Sequence, residues 1–203
     1  MKIIQQGVII IIGLLASLPA WANNDGPRVV IENTVKHIIQ ALDARQDKSR
    51  LTDHDRDAIR KAVEGHFDYR TMARRSLGKP WKKLARQDRT EFTDVFRELL
   101  ERSYGNRLSE YKGQTVAFSD AKLKKKRALV KSEVIDGSRK TPVHYSMHQT
   151  DDGWQVYDIR IEGASMIRTF REDFKSVLKQ GGYEHLLKTL KEKIAKLKAK
   201  EAS

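Results

Sequence analysis

Between residues 27 and 197 the spacing of apolar residues changes twice, from about 3.6 to 2 and back, and few architectures accommodate that order. The first stretch reads as helices. Val30, Ile31, Val35, Ile38, Ile39 and Leu42 recur at three- and four-residue steps, which predicts an amphipathic helix over 27–46 with Pro27 in its first turn. Thr52-Asp53 opens a short helix carrying Ile59, Ala62 and Val63. A third runs from about Asp68 to Gly78 and Pro80, with Trp81 following. The longest begins near Gln87. Phe92, Val95, Phe96, Leu99, Leu100, Tyr104, Leu108 and Tyr111 form one stripe that ends at Gly113, about 35 Å of helix.

From residue 116 the period is 2. Val116 and Phe118 alternate with polar neighbours, as do Val130 and Val134 around Ser132. Val143, Tyr145 and Met147 alternate with His144, Ser146 and His148; Tyr157, Ile159 and Ile161 alternate with Asp158, Arg160 and Glu162. Asp136-Gly137 and Asp151-Asp152-Gly153 supply hairpin turns. After Gly163 the helical period returns through Ile167, Phe170, Phe174, Val177 and Leu178. Gly181-Gly182 interrupts it, and Tyr183, Leu186, Leu187, Leu190, Ile194 and Leu197 resume it. The pattern predicts an α+β fold: a curled antiparallel sheet of about four strands with helices on one face, an arrangement able to enclose an apolar cavity.

The first 22 residues read as an address. Lys2 precedes an apolar run, Val8 to Leu18, and Ala20-Trp21-Ala22 after Pro19 suits signal peptidase, with cleavage after Ala22. The run is too short to span a bilayer comfortably. Residues 23–203 then form one domain of 181 residues, keeping +12 of the +13 net charge once Lys2 is removed. The chain has no Cys, which excludes thiol catalysis and Cys-ligated metal, and leaves the fold to stand on packing. In an exported protein so basic a surface points to lipid head groups or acidic proteins rather than nucleic acid.

Other chemistries fare poorly. No GxxxxGK[ST] or GxGxxG occurs, so no nucleotide or other cofactor is expected. His144 and His148 lie four apart on a strand, about 13 Å, too far to share a zinc ion; they read as solvent-facing, and no metal is expected. Tyr157 and Asp158 point to opposite faces of a strand, and Asp158, Arg160 and Glu162 alternate in charge as a solvated face does, so no acid–base site is expected. Lys122, Lys124, Lys125, Lys126 and Arg127 cluster between the first two strands, and Lys188 to Lys200 make the tail basic. Such runs are commonly solvated surface; their functional reading is docking to an acidic partner or membrane.

Several blocks taken in order resemble the MlaC family, the periplasmic phospholipid-binding component of the Mla lipid transport system, also known as the toluene-tolerance auxiliary family. The blocks are Phe67-Asp68 with Met72-Ala73, Leu77-Gly78 and Trp81; Phe92, Phe96, Leu99-Leu100, Tyr104-Gly105, Leu108, Tyr111 and Gly113-Gln114-Thr115; and Pro142-Val143, Tyr145, Trp154, Tyr157-Asp158 and Glu162-Gly163-Ala164-Ser165-Met166-Ile167. They cover nearly all of 27–190. The segment Trp154 to Ile167, a strand entering a helix through E-G-x-S, is the most specific. Ala164 stands where the family often has Val, and the tail beyond about 190 lies outside the resemblance.

The resemblance implies a cone related in outline to the nuclear-transport-factor-2-like shape, with no catalytic residues. It implies a carrier that buries phospholipid acyl chains and leaves the head group near solvent. Its partners would be an outer-membrane lipoprotein–porin complex of MlaA type and the ring subunit, MlaD type, of an inner-membrane ABC transporter. The expected wall is Phe92, Phe96, Val116, Phe118, Val130, Val134, Val143, Tyr145, Met147, Tyr157, Ile159, Ile161, Met166, Ile167 and Phe170, with Lys122, Lys124, Lys125, Lys126 and Arg127 for docking. Gly163 would permit the strand-to-helix turn and Ser165 would cap the helix. An exported enzyme on the same cone, or an adaptor with a filled core, are the alternatives.

Overall fold

A computed structural model describes residues 25–202; the export segment expected at 1–22 lies outside them. Among the described residues no helix is long and apolar enough to cross a membrane. Helix α1, Pro27–Asp43, begins with Pro27 in its first turn. Helix α2, Asp53–Val63, starts on a reciprocal cap: Asp55 N donates to Thr52 Oγ1 at 3.2 Å, and Thr52 N donates to Asp55 Oδ2 at 2.8 Å. Helix α3, Tyr69–Leu77, is capped by Asp68, whose Oδ1 accepts from Thr71 N at 2.8 Å. Gly78, at φ 73, turns the chain into a short 3₁₀ segment, Lys79–Lys83, that buries Trp81. Helix α4, Arg86–Ser109, is the long helix expected from the Phe92–Leu108 stripe.

The sheet has strands β1 Thr115–Phe118, β2 Lys122–Lys124, β3 Arg127–Asp136, β4 Arg139–Thr150, β5 Gly153–Ile161 and β6 Ala164–Ser165. All pairings between them are antiparallel, in the order β1-β3-β4-β5-β6. The four strands legible as alternating patterns are present. The two additional ones are three and two residues long, too short to carry a period. Because β4 occupies one edge of β3 along its whole length, β1 and β2 lie end to end on the other.

In β5 the simple alternation fails. The register steps from Ser146↔Asp158 to Met147↔Val156, leaving Tyr157 without a partner. An inserted residue reverses which side chains face inward. Trp154 and Val156 therefore join Ile159 and Ile161 on the inner face, and Tyr157 does not. Its ring lies 5.3 Å from that of His148, beneath the Arg75 guanidinium at 4.7 Å.

Asp158 corrects a second expectation. It is 5% exposed rather than solvated. Its Oδ2 accepts from Ser165 Oγ at 2.7 Å and its Oδ1 from Ile167 N at 3.2 Å, while Ser165 Oγ accepts from Arg168 N at 3.1 Å. Glu162 and Gly163, at φ 51 and 84, form the two-residue turn that brings β6 back along β5. The E-G-x-S segment is thus a hairpin followed by a helix cap, with a buried carboxylate at the positive end of helix α5, Met166–Ala202. Replacing Asp158 with Ala should cost about 1–3 kcal/mol, because it removes a cap and strands two donors. An unchanged melting temperature would refute this role.

Helix α5 is interrupted at Gly181 and Gly182, the latter at φ 72. Beyond the break it lies along α4, with Lys191 Nζ 2.6 Å from Glu91 Oε1 and Lys198 Nζ 2.7 Å from Glu98 Oε1. Both numbers rise by seven, so the two segments run parallel. Leu186, Leu190 and Ile194 are buried beneath them. The basic tail is therefore packed structure, with its lysines on the outer stripe.

Two apolar clusters result. One joins α3, α4 and α5 around Phe92 and Phe96, both 0% exposed, with Phe96 5.3 Å from Phe170 and 6.0 Å from Phe174. The other joins Ile31 of α1 to the inner sheet face at Ala128, Val130, Tyr145, Met147, Trp154 and Val156.

Candidate functional site

Between the two clusters lies a cavity of about 300 Å³. One side is the sheet, through Val143, Tyr145, Ile159 and Ile161. Helix α1 adds Ile31, Val35 and Ile38, and α2 adds Ile59 and Val63. Tyr69 and Met72 of α3, Leu100, Tyr104 and Leu108 of α4, and Met166 at the start of α5 extend the apolar wall, with Leu51 and Phe67 from the connecting segments. Thr34 Oγ1, on the same wall, donates to Val30 O at 2.8 Å within its own helix. Burial pushes the Tyr145 phenol up to about 12, and raises those of Tyr69 and Tyr104. These rings therefore stay neutral at any physiological pH and add no charge to the wall.

The charged lining is basic in excess. Arg56 and Arg60 of α2 and Arg102 and Arg107 of α4 contribute, against Glu101. Arg60 is matched, with Nη2 3.0 Å from Glu101 Oε2 and Nη1 2.5 Å from Asp57 Oδ1. Arg107 is exposed and lies 5.7 Å from the centre of the Tyr104 ring. Arg56 and Arg102 both meet Glu201, from the last turn of α5.

Of the wall expected from sequence, the structure brings Val143, Tyr145, Ile159, Ile161 and Met166 together around the cavity. Phe92, Phe96, Ile167 and Phe170 sit in the helical cluster, and Val130 and Met147 in the sheet cluster with Phe118 against it. Val116 and Val134 form a cross-strand pair at the β1 edge, half-buried and away from the cavity. Tyr157 is held in the bulge. The α1 and α2 residues read from the sequence as amphipathic helices with no assignment to the wall, and the lining arginines carry no sequence signal. One signal was available for α1: Val30, Val35, Ile38 and Ile39 make its apolar stripe wider than a core contact requires, and all four are only half-buried.

Lys122 and Lys124 lie on β2, Lys125 and Lys126 form the turn with Lys125 at φ 55, and Arg127 opens β3. All five are exposed, and none reaches the cavity. His148 is not solvent-facing as expected. It is half-buried, with Nε2 3.0 Å from Asp68 Oδ2, an ion-pair distance without hydrogen-bond alignment. No group of three or more His, Cys, Asp or Glu among the described residues could hold a metal ion. The site has the chemistry of an apolar ligand pocket bordered by arginines.

The toluene tolerance protein ttg2D of Pseudomonas putida is 23% identical over 185 residues, covering 89% of this chain and 85% of that one. The intermembrane phospholipid transport system binding protein MlaC of Haemophilus influenzae is 20% identical over 168 residues, covering 79% and 78%. Among solved structures, a phospholipid-binding protein of Ralstonia solanacearum, determined in complex with a phospholipid, matches with a TM-score of 0.79. It is 22% identical, and the match covers 85% of this chain and 99% of that one; the likeness is one of fold. The sequence model of the MlaC protein family matches residues 32–192, most of the chain. With these blocks in the same order on the same architecture, the protein belongs to the MlaC family.

Proposed function

We propose that this protein is a periplasmic phospholipid carrier. The observation that carries the reading is the cavity of about 300 Å³ between sheet and helices, apolar in its walls and bordered by arginines. The phospholipid named for the Haemophilus and Ralstonia relatives supports the same ligand. Each methylene taken from water contributes about 0.8 kcal/mol, so one long acyl chain supplies roughly 10 kcal/mol. A cavity at the lower end of the roughly 300–1,000 Å³ range of ligand pockets holds much of one acyl chain rather than a whole diacyl lipid. The head group then remains at its border, among the guanidinium groups.

In this reading residues 1–22 are removed on export and 23–203 form the single lipid-binding domain. The protein is not an enzyme. It shuttles lipid between an outer-membrane lipoprotein–porin complex of MlaA type and the MlaD-type ring of an inner-membrane ABC transporter, maintaining outer-membrane lipid asymmetry. The exposed cations Lys122, Lys124, Lys125, Lys126 and Arg127 are the docking surface, where charge accelerates encounter with an acidic partner. Protein purified from a bacterial host is expected to carry diacyl phospholipid without added ligand, because a ligand so bound survives washing. Native mass spectrometry showing only the unliganded mass in several preparations would overturn the carrier reading.

A further inference from the structure

The end of α5 meets two arginines of the cavity lining through Glu201. Glu201 has a side chain only 12% exposed, and its carboxylate lies between Arg56, 10% exposed, and Arg102, 16% exposed. Those two arginines come from different helices and both line the cavity. They are positioned with some care. A Cβ at Gly105, one turn after Arg102, would lie 2.6 Å from Arg56 Nη1, so a glycine there is what lets the guanidinium lie against α4. The pairing with Glu201 is incomplete. Oε2 accepts from Arg102 Nη1, but Oε1 sits 3.0 Å from Arg56 Nη2 without an aligned hydrogen bond. One carboxylate is serving two nearly buried forks. Glu98, which also meets Arg102 at 3.2 Å, is shared with Lys198 at 2.7 Å.

We infer that Arg56 and Arg102 form an anion subsite for the phosphate of the bound lipid, and that Glu201 is its built-in competitor, holding the subsite while the cavity is empty. The inference rests on the carrier reading. A phosphodiester offers oxygens to both guanidinium groups, where a single carboxylate aligns with one. The exchange replaces one monoanion by another, so neither buried arginine is left unpaired, the outcome that is most destabilising. The displaced carboxylate is on the final turn of a helix, the part that opens most readily, and it regains water when it leaves. Ala199, between Leu197 and Glu201, is exposed.

The test uses the full mature chain with three probes: a short-chain phosphatidylglycerol, the diacylglycerol with the same chains, and inorganic phosphate. Glu201→Gln should bind the phospholipid about tenfold more tightly, within the roughly 5–150-fold span of coupled sites, and the diacylglycerol no differently. Stopping the chain after Lys198 should give the same gain by a second route, and Arg56→Gln should abolish the preference for phospholipid over diacylglycerol. In the parent, loading with phospholipid should raise amide exchange in residues 199–202, while loading with diacylglycerol should not. Equal phospholipid affinity in parent, Glu201→Gln and the shortened chain would overturn the inference, as would unchanged exchange on loading. Tight binding of inorganic phosphate to Glu201→Gln with no gain for phospholipid would overturn the lipid assignment of the subsite. If the parent binds neither lipid, the carrier reading itself fails.

Discussion

Replacing Val143 with Trp is expected to leave the protein folded and nearly empty of lipid. Val143 lies on β4 opposite Ile161 and beside Ser132, half-buried, with its side chain on the cavity. The added ring enters a void of about 300 Å³, so it displaces ligand rather than neighbours. Delipidated Val143→Trp should melt cooperatively within a few degrees of the parent, while its co-purifying phospholipid falls at least about tenfold, as several methylenes lose their place. Met147, four residues on, has the same sequence signature and the opposite environment. It is 0% exposed, between Ala128 and Val156 in the sheet cluster. Met147→Trp should overpack that cluster and cost about 1–3 kcal/mol or more. Thermal melts with lipid quantification separate the two. Loss of stability in Val143→Trp with lipid unchanged would place Val143 in ordinary core and remove the cavity from this part of the sheet.

The second large effect is at Phe96, a residue expected from the sequence in the cavity wall. Its ring is 0% exposed and meets Phe92 at 6.2 Å, Phe170 at 5.3 Å and Phe174 at 6.0 Å, linking α4 to α5. Phe96→Ala should cost about 3–5 kcal/mol, because the surrounding rings relax only in part into the space left. For a domain of this size that corresponds to a fall of roughly 10 °C in melting temperature. The folded fraction should carry its usual lipid, since the cavity wall on α4 is formed by Leu100, Tyr104 and Leu108 instead. A Phe96→Ala protein with the parent's melting temperature and reduced lipid would mean that the ligand reaches into the helical cluster.

Much of the architecture depended on signals local in the chain. The Phe92–Leu108 stripe, the Thr52 and Asp68 caps, the Asp136-Gly137 turn and the Gly181-Gly182 break each act over a few residues, through backbone hydrogen bonds and accessible φ values. The family resemblance across Trp154 to Ile167 was equally legible, because it consists of a turn, a cap and the apolar residues beside them. The bulge at Tyr157 carried no such mark. Nothing in Val156-Tyr157-Asp158 says which residue will lack a partner, since that depends on the register β4 imposes from across the ladder.

The same division runs through the site. Sequence periodicity determined that Val143, Met147, Phe96 and Ile38 each lie on an apolar face. Only tertiary structure decided that Val143 and Ile38 border a void while Met147 and Phe96 are enclosed, because filling depends on what is packed opposite, and those neighbours come from distant parts of the chain. The charged lining depends on still longer range. Arg56, Arg102 and Glu201 are unremarkable in a sequence with this many charges, and they meet because α5 folds back at Gly181-Gly182 and runs parallel to α4. An ion pair leaves no periodic trace in sequence, since its energy depends on a distance that the assembled fold alone sets.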